Sequence, residues 1–414
     1  MIKIANSAAQ ACLPTIQWPV TQKVVALVRR HPWATLAVGV SIVGVLALAA
    51  GAGVGLYKLF KLHYEPANKR RLKLDETLEK LRQNDPSFTS LDLACYRLGG
   101  TDIQNLARAL EVNTTLESLN LRRNNINAAG AQALAGVLER NKTLKELWLN
   151  NNAIGDEGAQ VLASALEGNT TLESLDLGWN NIHAAGARAL AGVLKRNKTL
   201  KELWLNNNAI GDKGARALAD ALEGNTTLTR FNVGGNAIGN AGAKDIAIAL
   251  GGNKTLRYLH LHQNRICREG VEALADMLKE DTALSMLSLD GNGMDVEDAK
   301  ALANALKENK TLTTCSLSGN AIGDGGAEAL ADALRVNETL KEILLPSNAI
   351  GDVGAKAVVQ ALKDENTTLE SLDLGWNNIN AEVGRTLASD LMEHETLKSF
   401  YYGSGRYSVD KGML

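Results

Sequence analysis

Tryptophan and carboxylate side chains fall at matched positions near the middle of the chain. Trp148 and Trp204 are 56 residues apart, and Asp176 lies midway between them. Glu146 and Glu202 keep the same separation. An indole supplies a large apolar contact at a protein interface, and a nearby carboxylate favours a basic partner. The pattern therefore predicts a binding site for a protein or peptide that has both basic and apolar character.

Histidine and cysteine could carry a second kind of chemistry, which is metal binding. His260 and His262 are two residues apart, so on a strand both side chains share one face and could ligate one ion. No third ligand is evident, and we expect no metal site. The four cysteines are far apart and form no Cys-x-x-Cys pair, so neither a zinc site nor a disulfide framework is predicted. This favours a reducing compartment for the repeats.

The sequence holds no motif typical of an enzyme. A search for glycine-rich phosphate loops, nucleophile elbows, Cys/His pairs and His-Glu-x-x-His finds none. We therefore expect no catalysis and no cofactor. The formal net charge is −2 and the pI is about 6.4, so the chain lacks the basic footprint of a nucleic-acid binder.

A 28-residue repeat positions these residues. Leucines recur with that period from Leu116 to Leu340, one extra residue precedes Leu369, and Phe88 holds the same phase earlier in the chain. Each unit begins Leu-x-x-Leu-x-Leu-x-x-Asn, and leucines two apart predict a short strand with one buried face. The unit continues Gly-Ala-x-Ala-Leu-Ala-x-x-Leu, a spacing that indicates an amphipathic helix.

Asparagine and aspartate recur at the turns of each unit. The asparagine that ends the strand motif can donate to and accept from turn backbone groups, so stacked units predict a hydrogen-bonded ladder. This ladder comprises Asn124, Asn152, Asn180, Asn208, Asn236, Asn264, Asn292, Asn320, Asn348 and Asn377. Helix N-caps are expected at Asp156, Asp212, Asp324 and Asp352. Left-handed residues are expected after the helices at Asn141, Asn169, Asn197 and Asn225.

The strand and helix motifs over residues 88–402 resemble the leucine-rich repeats of the ribonuclease-inhibitor type. Such repeats also occur in cytosolic innate-immune receptors and in Ran GTPase activators. The Gly-Ala-x-Ala-Leu-Ala string resembles repeats in effectors of plant-pathogenic bacteria, although the F-box helix pair that usually precedes them is not found. The resemblance implies a scaffold for protein recognition, either a host-directed effector or an immune-type sensor. A regulator of a small GTPase is the alternative.

Stacking of the units predicts an α/β fold, a curved leucine-rich-repeat solenoid. One strand and one helix cannot bury a core alone, but neighbouring units can, with a parallel sheet on the concave side and helices on the convex side. Residues 66–87 are expected to form a linker and a capping helix, in which Leu74, Leu78 and Leu81 share one face. Aromatic residues 400–402 are expected to seal the other end, before a mobile tail over residues 403–414.

Residues that alternate with the strand leucines are expected to face the concave side. The predicted ligand-binding set is Arg122, Glu146, Trp148, Asp176, Trp179, Glu202, Trp204, Tyr258, His260 and His262. Two strand spacings place the Trp148 and Trp204 positions about 10 Å apart. Residues 113–168 and 169–224 differ at ten of 56 positions, and one 14-residue run recurs at 169–182 and 366–379. An alternative is therefore that the two tryptophans are duplicated copies of one tolerated residue.

The N-terminal region predicts a membrane anchor. Residues 34–57 carry no charge and, as a helix, would be long enough to cross a bilayer, so a transmembrane helix over 34–60 is expected after a basic segment, residues 1–33. The distribution of Lys and Arg favours a single-pass protein with cytoplasmic repeats. A cleaved signal peptide, a mitochondrial presequence and a soluble or partner-buried helix are the alternatives. Nine Asn-x-Thr sequences fall at one repeat position, which favours a role in the turn over glycosylation.

Overall fold

The computed structural model describes residues 67–280, 282–403 and 407–408. Arg71–Leu414 forms one compact unit. The predicted membrane span and the basic segment before it lie outside the described residues. Within the described part, no helix combines the length and the apolar character that a bilayer crossing requires.

Short strands pair side by side in chain order to form one sheet. Twelve of the strands in the described ranges are parallel, and the last strand is antiparallel to its neighbour. Their bounds are β1 Ser90–Asp92, β2 Ser118–Asn120, β3 Glu146–Trp148, β4 Ser174–Asp176, β5 Glu202–Trp204, β6 Arg230–Asn232, β7 Tyr258–His260, β8 Met286–Ser288, β9 Thr314–Ser316, β10 Glu342–Leu344, β11 Ser371–Gly375, β12 Ser399–Gly403 and β13 Tyr407–Ser408.

One helix precedes the sheet, and a helix follows each of the first eleven strands. The bounds are α1 Ala67–Arg82, α2 Gly100–Glu111, α3 Ala128–Arg140, α4 Gly155–Gly168, α5 Ala184–Arg196, α6 Gly211–Leu222, α7 Asn240–Gly251, α8 Glu269–Lys279, α9 Val296–Glu308, α10 Gly323–Val336, α11 Asp352–Asp364 and α12 Ala381–Leu391. The strand-and-helix repeat fits a curved solenoid of leucine-rich repeats, as the 28-residue period predicts.

The core lies between the sheet and the helices. In a typical unit, Leu147 and Leu149 of the strand segment are buried against the Ala and Leu positions of the helices. The glycine of the Gly-Ala string allows neighbouring units to approach closely. A Cβ at Gly158 would lie 2.5 Å from Ile154 Cγ2 and 3.1 Å from Ala131 Cβ, so a side chain there would push adjacent helices apart.

The ladder asparagines connect one unit to the next through hydrogen bonds. Asn208 is representative, since its Nδ2 donates to Leu177 O at 3.0 Å and to Leu205 O at 2.9 Å. Its Oδ1 accepts from Asn180 N and Ile182 N, both at 2.9 Å. Each side chain therefore joins buried backbone groups of two neighbouring units.

A second series of asparagines occupies the turn after the helices. Asn197 Nδ2 donates to Leu166 O at 2.9 Å, and its Oδ1 accepts from Thr199 N at 2.9 Å and Leu200 N at 2.8 Å. The expected left-handed backbone is wrong here, because Asn197 is extended, with φ −66° and ψ 133°. Asn141 and Asn169 are extended too, and Asn225 is not left-handed either. The side chain makes the turn, so no left-handed residue is needed.

These asparagines are also those of the Asn-x-Thr sequences, and each is 2–4% exposed: Asn113, Asn141, Asn169, Asn197, Asn225, Asn253, Asn309, Asn337 and Asn366. Their amides serve the repeat turn and are inaccessible in the folded chain.

The prediction that Asp156, Asp212, Asp324 and Asp352 are N-caps of their own helices is wrong. Asp156 is the second residue of α4, and its Oδ1 accepts from His183 N at 2.7 Å and Gly186 N at 2.9 Å at the start of α5. Asp212 and Asp324 make the same two bonds to the following unit, and Asp352 makes the first of them, from Asn380 N at 2.7 Å. These carboxylates therefore cap the helix of the next repeat and join neighbouring units.

Both ends of the sheet carry additional structure. Leu74, Leu78 and Leu81 of α1 are buried. At the other end Phe400 and Tyr402 stack with ring centroids 5.4 Å apart. The sheet continues past residue 402, because β12 ends at Gly403 and β13 pairs with it, so part of the segment expected to be a mobile tail belongs to the sheet.

Candidate binding surface

The side chains beside each buried strand residue form the surface that we call the strand face. It consists, in each unit, of the residue before the buried strand residue, the residue after it, and the residue two positions further on, such as Glu146, Trp148 and Asn150 around Leu147. The strands pair without offset, so equivalent residues of successive units form columns. Side chains of one column are cross-strand neighbours about 5 Å apart at their bases.

Acidic side chains outnumber basic ones on the strand face. Two arginines, Arg122 and Arg230, lie there against seven carboxylates, which are Asp92, Glu146, Asp176, Glu202, Asp290, Glu342 and Asp373. The whole chain is close to neutral, with a formal net charge of −2. Negative charge is therefore concentrated on this surface.

Asp176 lies in register between Trp148 of β3 and Trp204 of β5. Its Oδ1 accepts a hydrogen bond from Gly178 N at 2.9 Å. Burial raises the pKa of this carboxyl to about 6, although the hydrogen bond from Gly178 and the charge of Arg122 lower it. The structure thus brings three predicted site residues together as an aromatic–acid–aromatic row in which the carboxylate is poorly hydrated.

The two glutamates of the predicted set make different contacts. Glu146 Oε2 accepts from Ser118 Oγ at 3.0 Å. Glu202 Oε2 accepts from Ser174 Oγ at 3.2 Å, and its Oε1 pairs with Arg230 Nε at 3.3 Å. The charge of Glu202 is therefore partly neutralised, and Glu146 is the better acceptor for a cation from outside.

Tyr258 continues this network, because the Arg230 guanidinium lies 4.4 Å from the centre of its ring. The sequence analysis did not include Arg230. Its position, 28 residues after Glu202, was the signal that could have identified it.

The histidines extend the aromatic row beyond Trp204. The rings of Trp204 and His260 lie 5.8 Å apart, and those of His260 and His262 lie 6.2 Å apart. A Cβ at Gly234 would lie 2.4 Å from His262 Nε2, so this glycine leaves room for the ring. Burial lowers the pKa of both imidazoles, which favours their neutral form.

Trp179 and Arg122 lie at the edge of the strand face. Trp179 belongs to the turn after β4, where its backbone is left-handed (φ 57°), and its side chain is 54% exposed. Arg122 is exposed, and its backbone N donates to Asn120 Oδ1 at 3.0 Å. The predicted set therefore forms a continuous strip from β2 to β7.

A second group of residues was missed by the sequence analysis. Asp373 lies in register between Leu344 and Tyr401, and Trp376 follows in the next turn with 68% of its side chain exposed. Burial raises the pKa of the Asp373 carboxyl, despite the hydrogen bond from Gly375. The recurrence of 169–182 at 366–379 was the signal that could have found this group.

Metal binding, cysteine chemistry and a further free carboxylate have little support among the described residues. Within the described ranges, no group of three or more His, Cys, Asp and Glu side chains is arranged to hold a metal ion. Cys315 takes the place of the buried strand leucine in β9, and burial raises the pKa of its thiol to about 12. Asp290 accepts from Ser288 Oγ, Ser316 Oγ and Ser318 N, so its charge is already well solvated.

Comparison with known proteins supports the repeat assignment. The family model of the leucine-rich repeat matches residues 112–135, 224–247, 252–275, 308–331, 336–359 and 365–388. The model of the TMOD/LMOD leucine-rich domain matches residues 131–233. No curated protein matches the chain.

A similar solved structure is titled Leiomodin-1 Actin-Binding Site 2 (ABS2). It is 27% identical, and the match covers 38% of this chain and 77% of that chain. Its TM-score is 0.27. From the 28-residue strand-and-helix units and the matching family models, the chain belongs to the leucine-rich-repeat proteins.

Proposed function

We propose that this chain is a non-enzymatic scaffold that binds a protein or peptide on its strand face. The observation that carries the proposal is the row Trp148–Asp176–Trp204, in which a poorly hydrated carboxylate lies between two indoles on adjacent strands. Large aromatic residues beside a desolvated charge are typical of the energetic centre of a protein interface. The strip from Arg122 to His262 surrounds this centre with polar groups.

The partner has basic and apolar character in this proposal. Glu202 already pairs with Arg230, and Asp290 is bonded to serines, whereas Asp176 and Glu146 keep acceptor capacity toward solvent. A partner that places a cation near Asp176 and apolar groups on the indoles would match both features.

The test is capture of partners from lysate by the full chain, compared with the Trp148→Ala/Trp204→Ala variant. The matched control is Ile248→Ala/Val353→Ala, which removes two exposed apolar side chains from the helices. We expect a partner that the wild-type chain and the control retain and that the tryptophan variant loses. A partner retained equally by all three chains would contradict the site, because binding would then not use the indoles.

Membrane attachment forms a separate part of the proposal. Residues 34–57 are proposed to anchor the chain in a membrane, with the repeats on the cytoplasmic side. In alkaline carbonate extraction, the full chain should stay in the pellet. A variant with Val43→Arg and Leu46→Arg should move to the supernatant, since charge opposes insertion of this segment. Extraction of the wild-type chain would contradict the anchor.

Two finer roles stay predictions from the family resemblance. The first is an effector or an immune-type sensor, and the second is regulation of a small GTPase. No contact on the strand face favours the GTPase role. Adding the full chain to a panel of small GTPases tests it, since a regulator would raise GTP hydrolysis by at least one member and a flat response would remove this alternative.

A further inference from the structure

The sequence Asp-Leu-Gly-Trp occurs twice on the strand face, at residues 176–179 and 373–376. The two copies have the same local geometry. Gly178 N donates to Asp176 Oδ1 at 2.9 Å, and Gly375 N donates to Asp373 Oδ1 at 2.8 Å. Within the described part of the chain, neither carboxylate uses its Oδ2 as a hydrogen-bond acceptor. Each copy therefore holds one carboxylate oxygen in place and leaves the other available.

The tryptophan of each copy has a backbone conformation that large residues rarely adopt. Trp179 and Trp376 both have φ 57°. The equivalent position has a positive φ in the other units too, where it is occupied by Cys95, Arg123, Asn151, Asn207, Gly235, Gln263, Gly291, Gly319 and Ser347. A left-handed backbone is unfavourable for a residue with a Cβ. This turn therefore presents both indoles in the same way, exposed and three residues after the carboxylate.

Large side chains flank both carboxylates. Trp148 and Trp204 lie beside Asp176, and Leu344 and Tyr401 lie beside Asp373 in the same register. Burial raises the pKa of both carboxyls. An ionised carboxylate in such surroundings is stabilised when a cation with hydrogen-bond donors approaches it.

Beyond the proposed site around Asp176, we propose that Asp373 and Trp376 form a second binding site, which accepts an arginine side chain of a protein or peptide partner. A guanidinium group can donate to the available Oδ2 while its plane stacks on the exposed indole. Lysine lacks the planar fork that satisfies both contacts. Strands β4 and β11 are seven strands apart, about 34 Å along the sheet, so the two copies engage separate side chains. This inference rests on the proposed function for the class of partner.

The test observes each indole separately. The full chain is labelled with 5-fluorotryptophan, and the ¹⁹F resonances are assigned with single Trp→Phe variants. The probe is N-acetylarginine N-methylamide, and the matched neutral probe is the citrulline analogue, which keeps the shape and removes the charge. We expect the Trp179 and Trp376 resonances to shift with dissociation constants within about threefold of each other, and citrulline to shift neither.

Two isosteric variants separate the copies, since Asn can keep the hydrogen bond from the glycine N–H. Asp373→Asn should weaken arginine binding at Trp376 by at least about tenfold and leave Trp179 unchanged, and Asp176→Asn should do the reverse. Response of Trp179 alone would overturn the second site and leave the proposed function standing. Equal response to citrulline, or in Asp373→Asn, would overturn the ionic recognition. Silence at both indoles would overturn the arginine assignment, while partner capture would still decide the proposed function.

Discussion

Two near-identical stretches, residues 113–126 and 169–182, form β2 and β4 with their turns and differ at three positions. Asn120, Arg122 and Arg123 of the first correspond to Asp176, Gly178 and Trp179 of the second. The backbone is conserved between the two turns, where Arg123 has φ 53° and Trp179 has φ 57°. The comparison shows that the buried leucines and asparagines determine the repeat frame, by which we mean the strand, turn and helix backbone of each unit. The side chains of the strand face can change without altering this frame.

The three differences replace a basic surface with an acidic and aromatic one. Asn120 Oδ1 accepts from Arg122 N much as Asp176 Oδ1 accepts from Gly178 N, so the exchange of amide for carboxylate preserves the turn and adds charge. A Cβ at Gly178 would lie 2.9 Å from Asn206 Oδ1, so glycine keeps the space beside the carboxylate open. The stretch 366–379 repeats the second arrangement residue for residue.

The largest effect on stability is expected from removing the ladder asparagine, which both stretches contain. Asn180 Nδ2 donates to Leu149 O, Leu177 O and Gly178 O, at distances of 3.0–3.1 Å. Asn180→Ala removes these three hydrogen bonds and deprives Ile154 N of its acceptor, Asn180 Oδ1 at 3.3 Å. The free energy of unfolding should therefore fall by about 2–4 kcal/mol. Urea denaturation followed by circular dichroism measures this. Thr170→Ala, at an exposed position, is the control, and an equal loss in both variants would contradict the role of the ladder.

Converting the second stretch toward the first should abolish binding and spare the fold. In Asp176→Asn/Trp179→Arg, both new residues already occupy the equivalent positions around β2, so the unfolding midpoint should not fall below that of the wild-type chain. Affinity for a partner captured through the strand face should fall at least about tenfold, because the carboxylate and the indole are both removed. Isothermal titration calorimetry with that partner checks the result. Unchanged affinity would show that the differing positions do not determine binding.

A smaller effect follows from the carboxylate of Asp176. Its pKa is raised from about 3.8 to about 6, so the folded chain disfavours the ionised form, and this group lowers stability progressively as pH rises from about 4 to about 6. Asp176→Asn should therefore be more stable than the wild-type chain by about 1–2 kcal/mol at pH 8, after allowance for screening by water. The difference should vanish near pH 4. Urea midpoints over this pH range measure it, and the exposed Asp220→Asn is the charge-removal control.

The smallest effect concerns the turn conformation. Trp179→Asn places a residue that tolerates a left-handed backbone where Asn151 and Asn207 already have one, so stability should rise by up to about 1 kcal/mol. The reverse change, Asn207→Trp, should lower stability by a similar amount. Thermal unfolding of the pair measures both. A loss of stability in Trp179→Asn would mean that the indole supports the fold.

The frame was predictable because its residues repeat every 28 positions. The buried leucines and the ladder asparagines follow directly from that period. The partners of Asp156 could not be predicted, because they depend on how closely successive helices approach, and a single unit does not specify this. The extended backbone of Asn197 was missed because its side chain, not its φ angle, closes the turn.

The candidate site was only partly predictable. Trp148 and Trp204 stood out as duplicated aromatic residues, but the burial of Asp176 between them required the strand register. Trp376 occurs as a single exposed residue far along the chain, and its importance emerges only when its backbone and neighbours are compared with those of Trp179.

We propose that Asp-Leu-Gly-Trp acts as a binding unit on a constant strand-and-helix backbone. The most direct test is to build a third copy around β2 with Asn120→Asp, Arg122→Gly and Arg123→Trp in the full 5-fluorotryptophan-labelled chain. Titration with N-acetylarginine N-methylamide should then shift a third indole resonance, with a dissociation constant within about threefold of those of Trp179 and Trp376. An introduced indole that stays silent, in a chain whose unfolding midpoint is unchanged, would contradict the account.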